Sequence, residues 1–350
     1  VSTHAPLSFT LDTAANRPVI NAVATDDIIN AAEAGGAITG TAEAGARVQL
    51  VLGDGSTART VSLTADNAGN WSHTLGSADL AALGSGQTQV TAVQTDKAGN
   101  ESLTALRNVS VDRVAPTNAI TSDRTTLAVG ETAVLNFTLS EASSTFAAGD
   151  ITATGGALGN FAGSGTRYSA TFTPTANTSG TASISIAGGA FTDAAGNPSQ
   201  ASDAVSMAVD TVRPTIAISS SATTLGPGQV ATLTFTLSEP DTSFGADSVT
   251  LVGGTLGALT ANAARTVYTG VFTPTQGLNG SGSVTVANGA FRDAAGNVNA
   301  DGADTNNTVA LTLQTALSSL AITSNKTTLK ANETATLTFT FSSAPTGFTD

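Results

Sequence analysis

The run Gly189-Ala190-Phe191-Thr192-Asp193-Ala194-Ala195-Gly196-Asn197 returns as Gly289-Ala290-Phe291-Arg292-Asp293-Ala294-Ala295-Gly296-Asn297. A shorter form, Asp96-Lys97-Ala98-Gly99-Asn100, stands before both. A motif that recurs about every hundred residues marks a chain of similar domains. That period constrains the fold more than any other feature, because about a hundred residues is the size of one seven-stranded β-sandwich.

The strand pattern agrees. Ala133, Leu135, Phe137 and Leu139 alternate with Thr132, Val134, Asn136 and Thr138. Alternation of that kind turns one face of a strand to a core and the other to water. Leu233, Phe235 and Leu237 repeat it against Thr232, Thr234 and Thr236, and Leu337, Phe339 and Phe341 repeat it against Thr336, Thr338 and Thr340. A second strand, Tyr168 to Pro174, returns as Tyr268 to Pro274. The first unit diverges; its predicted strands are Ala37–Ala42, Ala46–Leu52, Thr57–Leu63, Trp71–Leu75, Gln87–Thr95 and Leu106–Val111. Helical patterning is confined to the short stretch Ser77–Leu83, and Gly and Pro punctuate the rest as sandwiches require. The expected fold is all-β, with tandem immunoglobulin-like β-sandwich domains in an extended array. The boundaries fall at 18–115, 116–213 and 214–315. Residues 1–17 read as the last strand of a preceding Ig-like domain plus linker, and 316–350 as a partial domain, so that the sequence reads as a window on a longer protein.

Composition narrows the function. Cysteine is absent, which removes disulfides, thiolate metal sites and cysteine nucleophiles. A net charge of −13 argues against nucleic acid, whose binding rests on basic patches. Excess acid on a folded chain repels itself unless cations neutralise it. No apolar run reaches the length of a membrane span, so no membrane insertion is expected in this segment. The two histidines, His4 and His73, stand in different domains, and there is no nucleophile elbow, phosphate loop or dinucleotide fingerprint. Carboxylates repeated at successive junctions suit structure better than catalysis, because an enzyme needs one site rather than a periodic series. The chain is therefore expected to be no enzyme.

On the up-and-down topology of such a sandwich, the B–C and F–G loops meet at the pole where the chain enters. In the second domain strand B ends at Ser140-Glu141, the F–G loop carries Asp193, and the incoming linker supplies Asp112. The same construction gives Asp210, Glu239 and Asp293 for the next junction, and Asp12, Glu43 and Asp96 for the first. Three converging carboxylates call for a cation. Calcium takes six to eight oxygens at about 2.3–2.6 Å in a tolerant geometry and fits better than octahedral magnesium. Asn197, Asn297 and nearby carbonyls are expected to complete the shell. At the third junction Gln314 and Ser342-Ser343 occupy the acid positions, so two ligands vanish together. That junction is predicted to bind no calcium and to bend more easily. The competing reading is a tight turn, in which Asp accepts a backbone hydrogen bond and Gly takes positive φ. Asp66, in Asp66-Asn67-Ala68-Gly69-Asn70, is read as such a turn, and Asp26, Asp27, Asp150 and Asp247 are left unassigned.

Asp193-Ala194-Ala195-Gly196-Asn197, Val209-Asp210-Thr211-Val212-Arg213-Pro214 and Leu233-Thr234-Phe235-Thr236-Leu237-Ser238-Glu239 together resemble bacterial immunoglobulin-like repeats of giant surface adhesins and biofilm-associated proteins. The first unit, with Asp27-Ile28-Ile29-Asn30-Ala31-Ala32-Glu33, resembles a sister class. The resemblance implies type I secretion, an extracellular place on the bacterial cell surface, and a stalk stiffened by calcium between domains. It also implies that the partners of each repeat are its neighbours in the chain, and that a host or surface ligand binds elsewhere in the protein. Two other classes share the composition. A self-assembling surface layer or filament subunit would need broad apolar patches or free strand edges, and a carbohydrate-binding module would need more exposed aromatics than two Tyr and one Trp.

Overall fold

The structure, a computed structural model, describes residues 7–301, 305–342 and 344. His4 and Ser343 lie outside the described residues. The chain divides into two compact units, Val1–Thr125 with Thr132–Pro174 and Thr181–Met207, and Thr126–Glu131 with Thr175–Gly180 and Ala208–Asp350.

In the first unit, one sheet runs in the order Ile28–Ile29, Ala105–Val111, Gly86–Thr95, Arg47–Leu52, Arg59–Thr64, and the other Val19–Ile20, Ala37–Thr41, Asn70–Thr74. Six of these strands match the expected ones to within about two residues, the short Val19–Ile20 and Ile28–Ile29 are additional to them, and among the described residues the single α-helix is Ser77–Leu83. Between the sheets lie Ile38, Val48, Leu50, Leu52, Trp71, Val90 and Val109, all buried. Trp71 is there because Gly40 opposite it has no side chain; a Cβ on Gly40 would stand 2.1 Å from the indole Cζ2. The unit continues with a sheet of Asn118–Ser122, Ala133–Ser143 and Gly156–Pro174, and with Ile151–Thr154 paired antiparallel to residues 183–186. Ala133, Leu135, Phe137 and Leu139 are buried while Val134 is exposed, as period two requires.

In the second unit the same architecture recurs. Ile216–Ser220, Ala231–Leu237, Val267–Pro274 and Gly254–Leu256 form one sheet, and Thr224–Leu225, Thr308–Gln314, Asn279–Thr285 and Thr250–Val252 the other. Leu233, Phe235, Leu237, Phe272 and Phe291 fill the space between them. Leu320–Ser324 pairs with Leu337–Phe341 in a two-stranded sheet. Its alternation is the same, but Leu337 is 54% and Phe339 42% exposed.

A parallel pairing near the start of each repeat is diagnostic. Ile28↔Ser110, Thr126↔Ala208 and Thr224↔Thr312 each join a short early strand to the last strand of the same repeat. The first strand thus crosses from one sheet to the other and closes the sandwich, which makes the fold an all-β, tandem immunoglobulin-like one.

Ahead of the first such pairing the backbone turns through positive φ at Ala24, Thr25 and Asp27. Non-glycine residues hold that conformation only when the surroundings fix it. Arg107 fixes it: Nη2 donates to Asp27 Oδ2 at 2.6 Å and Nη1 to the Ile20 carbonyl at 3.2 Å. The Arg107 hydrogen bond, helped by the Val23 N–H, holds the Asp27 carboxyl below its ordinary value against the opposing effect of burial. A depressed folded value gives a contribution that is complete above the unfolded carboxyl pKa of about 3.9 and is lost as pH falls through the folded value. Arg107→Gln is expected to cost roughly 1 kcal/mol or less at neutral pH, the pair being partly exposed. It should also flatten the acid limb of a stability–pH curve, which urea titrations from pH 7 downward would measure.

Candidate metal centres

Glu141 and Glu239 owe their position to strand parity. Ala133–Ser143 turns its odd residues inward, so Glu141 continues the inward row past Leu139 to the end of the core. Glu239 follows Leu237 in the same way beyond Ala231–Leu237. The antiparallel register shifts between Thr138 and Ser143, where Glu141 stands. Both glutamates are half-buried.

The aspartates arrive by different routes. Asp193 opens a tight turn: Oδ1 accepts the N–H groups of Ala195 and Asn197, each at 2.9 Å, and Gly196 takes φ +87°. Asp293 accepts the Asn297 N–H at 2.8 Å in the same turn. Asp112 follows the strand Ala105–Val111, and Asp210 ends the strand Val205–Asp210. Each turns one oxygen to the backbone two residues on, at Val114 and Val212.

The result is two groups in which one oxygen from each of three carboxylates lies within 4.8 Å of the others: Asp112, Glu141 and Asp193, and Asp210, Glu239 and Asp293. Burial, and then the charges of Asp112 and Asp193, push the Glu141 carboxyl above its ordinary value. Burial, and then Asp293 and Asp210, do the same to Glu239. Glu239 Oε1 is buried without a hydrogen-bond partner. A buried acceptor left unpaired beside two negative charges is costly, and a hard divalent cation removes both costs at once. The donor set, all carboxylate oxygen, fits calcium.

Asp12, Glu43 and Asp96 form no such group among the described residues. Inward residues of Ala37–Thr41 are even-numbered, Ile38 and Gly40. Glu43 therefore falls off the inward row, in a turn after the strand has ended. Its Oε1 accepts the backbone N–H of Asn16 at 2.7 Å and the Asn16 amide at 2.9 Å. Asp96 makes the same turn as its counterparts, accepting the Asn100 N–H at 2.8 Å. Asp12 Oδ1 accepts the Ala14 N–H at 3.3 Å.

The asparagines do not point their oxygens at the carboxylates as expected. Asn197 Nδ2 donates to Asp193 Oδ2 at 2.9 Å and to the Asp112 carbonyl at 3.0 Å, while Oδ1 accepts the Ala31 N–H at 2.9 Å. Asn297 does the same with Asp293 Oδ2, the Asp210 carbonyl and the Val129 N–H. Their amides are spent on protein, which leaves the carbonyls of Asp112 and Asp210 tied as well. Of the unassigned acids, Asp27 pairs with Arg107, Asp26 caps the Ile28 N–H and Asp150 the Ala147 N–H, and Asp247 stands in a 3₁₀ turn. Asp66 closes a turn on Ala68 and Asn70. His73 meets buried Asp79 at 2.9 Å, with Arg59 on the other oxygen at 3.0 Å. Gln314 ends the strand Thr308–Gln314 at the third junction.

The comparisons with known proteins follow the same period. One family model, described as a bacterial Ig-like domain, matches residues 112–209 and again 210–310. A second model with that description matches residues 21–113. No curated protein sequence matches the chain. Among solved structures, one concerning host cell surface retention of a 1.5-MDa bacterial ice-binding adhesin is 19% identical, covers 87% of this chain and 99% of its own, and has a TM-score of 0.41. The Escherichia coli adhesin FdeC is 16% identical over 88% of this chain and 99% of its own, with a TM-score of 0.36. A tetra-tandem repeat from the extending region of a large adhesion protein is 16% identical over 94% and 88%, with a TM-score of 0.27. No helix among the described residues is long and apolar enough to cross a membrane. With three consecutive matches spanning residues 21–310, the chain belongs to the bacterial Ig-like domain family as a tandem of its repeats.

Proposed function

We propose that this chain is a stretch of extracellular stalk on a bacterial surface adhesin, non-enzymatic, with calcium at its junctions holding successive repeats in line. The observation that carries the reading is the pairing of two equivalent carboxylate groups, each drawing on a linker, a strand end and a loop. A cation among them joins the linker to the repeat that follows it. Asp112, Glu141 and Asp193 would hold one ion and Asp210, Glu239 and Asp293 another. The bound ion supplies charge neutralisation and nothing chemical. Family membership and the tandem arrangement support the spacer role, and the adhesin assignment rests on the motif resemblance. The repeats would hold a binding tip, elsewhere in the protein, away from the cell.

Affinities typical of extracellular calcium modules, about 10⁻⁴–10⁻³ M, would leave the chain slack in a low-calcium cytosol and set it after export. Small-angle scattering in millimolar calcium and then in excess chelator tests this. The maximum dimension is expected to shorten and the profile to become that of a flexible chain on chelation. An unchanged profile would remove the stiffening role. The third junction, with Gln314 in the acid position, is expected to contribute the same flexibility under both conditions.

A further inference from the structure

A recurring four-residue turn supplies the partner of the motif asparagine. Glu33 Oε2 accepts the Asn30 N–H at 3.3 Å, and Glu131 Oε2 accepts the Ala128 N–H at 3.0 Å. Gln229 Oε1 accepts the Gly226 N–H at 2.8 Å, and Glu333 Oε2 the Lys330 N–H at 3.2 Å. In each case a side chain three residues on closes the turn, and in the first two the next residue carries a backbone N–H outside the turn's own bond. In the first two turns that N–H belongs to Ala31 and Val129. Both donate to the motif asparagine about 167 residues later, Ala31 to Asn197 and Val129 to Asn297. At the first of these Asn30 Nδ2 also reaches the Ala195 carbonyl at 3.0 Å.

We infer that the asparagine of Asp-x-Ala-Gly-Asn is a clasp between consecutive repeats, acting without metal. One amide grips three groups: the loop carboxylate of its own repeat, the linker carbonyl, and the turn N–H of the repeat before. Asn197 and Asn297 are both buried, which keeps water from competing for these bonds. The two clasps have the same atoms and nearly the same distances, although Ala31 and Val129 lie in turns of different sequence. Asn100 keeps the two donor bonds of the set, to Asp96 Oδ2 at 2.8 Å and the Asp12 carbonyl at 3.2 Å. Holding Asp193 Oδ2 and the Asp112 backbone on one amide also places two of the three carboxylates before any ion arrives.

The third turn breaks the pattern at one atom. The residue corresponding to Ala31 and Val129 is Pro227, in Gly226-Pro227-Gly228-Gln229. Proline has no N–H, so this turn cannot be clasped. The junction that has lost an acid to Gln314 has therefore also lost its clasp donor, through a residue in a different loop. A built-in hinge explains both losses.

The clasp stands whether or not the carboxylate groups bind calcium, so its test is made in chelator. Ala31→Pro transplants what the third turn already tolerates and leaves Asn197 and the carboxylates untouched. Asn197→Ala removes all three bonds. Because the chain has no cysteine, spin labels on Thr60→Cys and Thr154→Cys report the distance between the first two repeats. Each hydrogen bond is worth roughly two- to tenfold in the clasped-to-free ratio. Both variants are expected to broaden the distance distribution in chelator, and Asn70→Ala, in the same motif away from the junction, to leave it unchanged. Ala31→Pro should keep the melting temperature of its repeat, which separates release of the clasp from loss of fold. An Ala31→Pro distribution as narrow as the parent's in chelator would overturn the clasp. Calcium narrowing the parent but not the variants, or failing to narrow either, bears on the metal reading alone.

Discussion

Withdrawing calcium is expected to lower the melting temperature of the second and third repeats by roughly 10–20 °C. Calcium at about a hundredfold over its dissociation constant stabilises the folded state by about 2.7 kcal/mol per site. A domain of this size shifts about 4–8 °C per kcal/mol. Replacing a ligand separates the ion's contribution from any general salt effect. In chelator, Glu239→Gln removes one of three like charges from a partly desolvated group whose Glu239 carboxyl burial and its neighbours already push up. The variant should therefore be more stable than the parent without calcium and less stable with it. Glu141→Gln should invert in the same way in the second repeat. A merely solvated acid would give no such change of sign. Differential scanning calorimetry at saturating calcium and in excess chelator reads both arms. If both substitutions are neutral under both conditions, the carboxylates are ordinary surface acids.

Phe191→Ala is expected to cost about 3–5 kcal/mol, the usual range for removing a buried aromatic. Phe191 is fully buried, and its ring lies 5.1 Å from that of Phe146 in an edge-on contact. Phe146 in turn meets Tyr168 at 5.0 Å and Phe137 at 5.9 Å. The third repeat has the equivalent cluster, with Phe244 against Phe291 at 5.5 Å, Tyr268 at 5.0 Å and Phe235 at 5.4 Å. Such edge contacts contribute beyond their buried area. Phe191 stands two residues before Asp193, so the ring anchors the loop that carries the acid. Truncation should therefore lower the denaturant midpoint strongly and weaken calcium binding to the second repeat while sparing the third. Chemical denaturation followed by fluorescence, with calcium titration of the native variant, checks both. A loss confined to stability, with calcium affinity intact, would show that the loop holds its shape without the ring.

Much of this was legible in residues. Alternation at Ala133–Leu139 and Leu233–Leu237 marked the inward faces, and the same parity, carried two residues further, explains why Glu141 and Glu239 are desolvated. The same rule accounts for Asp12, Glu43 and Asp96 not coming together among the described residues. Glu43 was aligned by its place after a strand, but its parity is the wrong one, and Asn16 captures its carboxylate. A side-chain amide beside two aspartates is chemically able to ligate a cation, so residue type alone points Asn197 and Asn297 to the shell. What decided otherwise was a backbone N–H from a turn about 167 residues earlier, which no side-chain pattern announces. Pro227 acquires meaning only once that N–H is known to be used. Similarly, the Arg107–Asp27 pair joins residues 80 apart, and its need arises from a backbone turn that the sequence does not reveal.

The central claim is that one cation sits among each set of three carboxylates. A crystal structure grown in millimolar calcium, with an anomalous difference map, measures it directly. The account predicts one calcium peak between Asp112, Glu141 and Asp193 and another between Asp210, Glu239 and Asp293, each with carboxylate oxygens at about 2.3–2.6 Å. Carboxylates turned apart into solvent, with water alone between them, would contradict it.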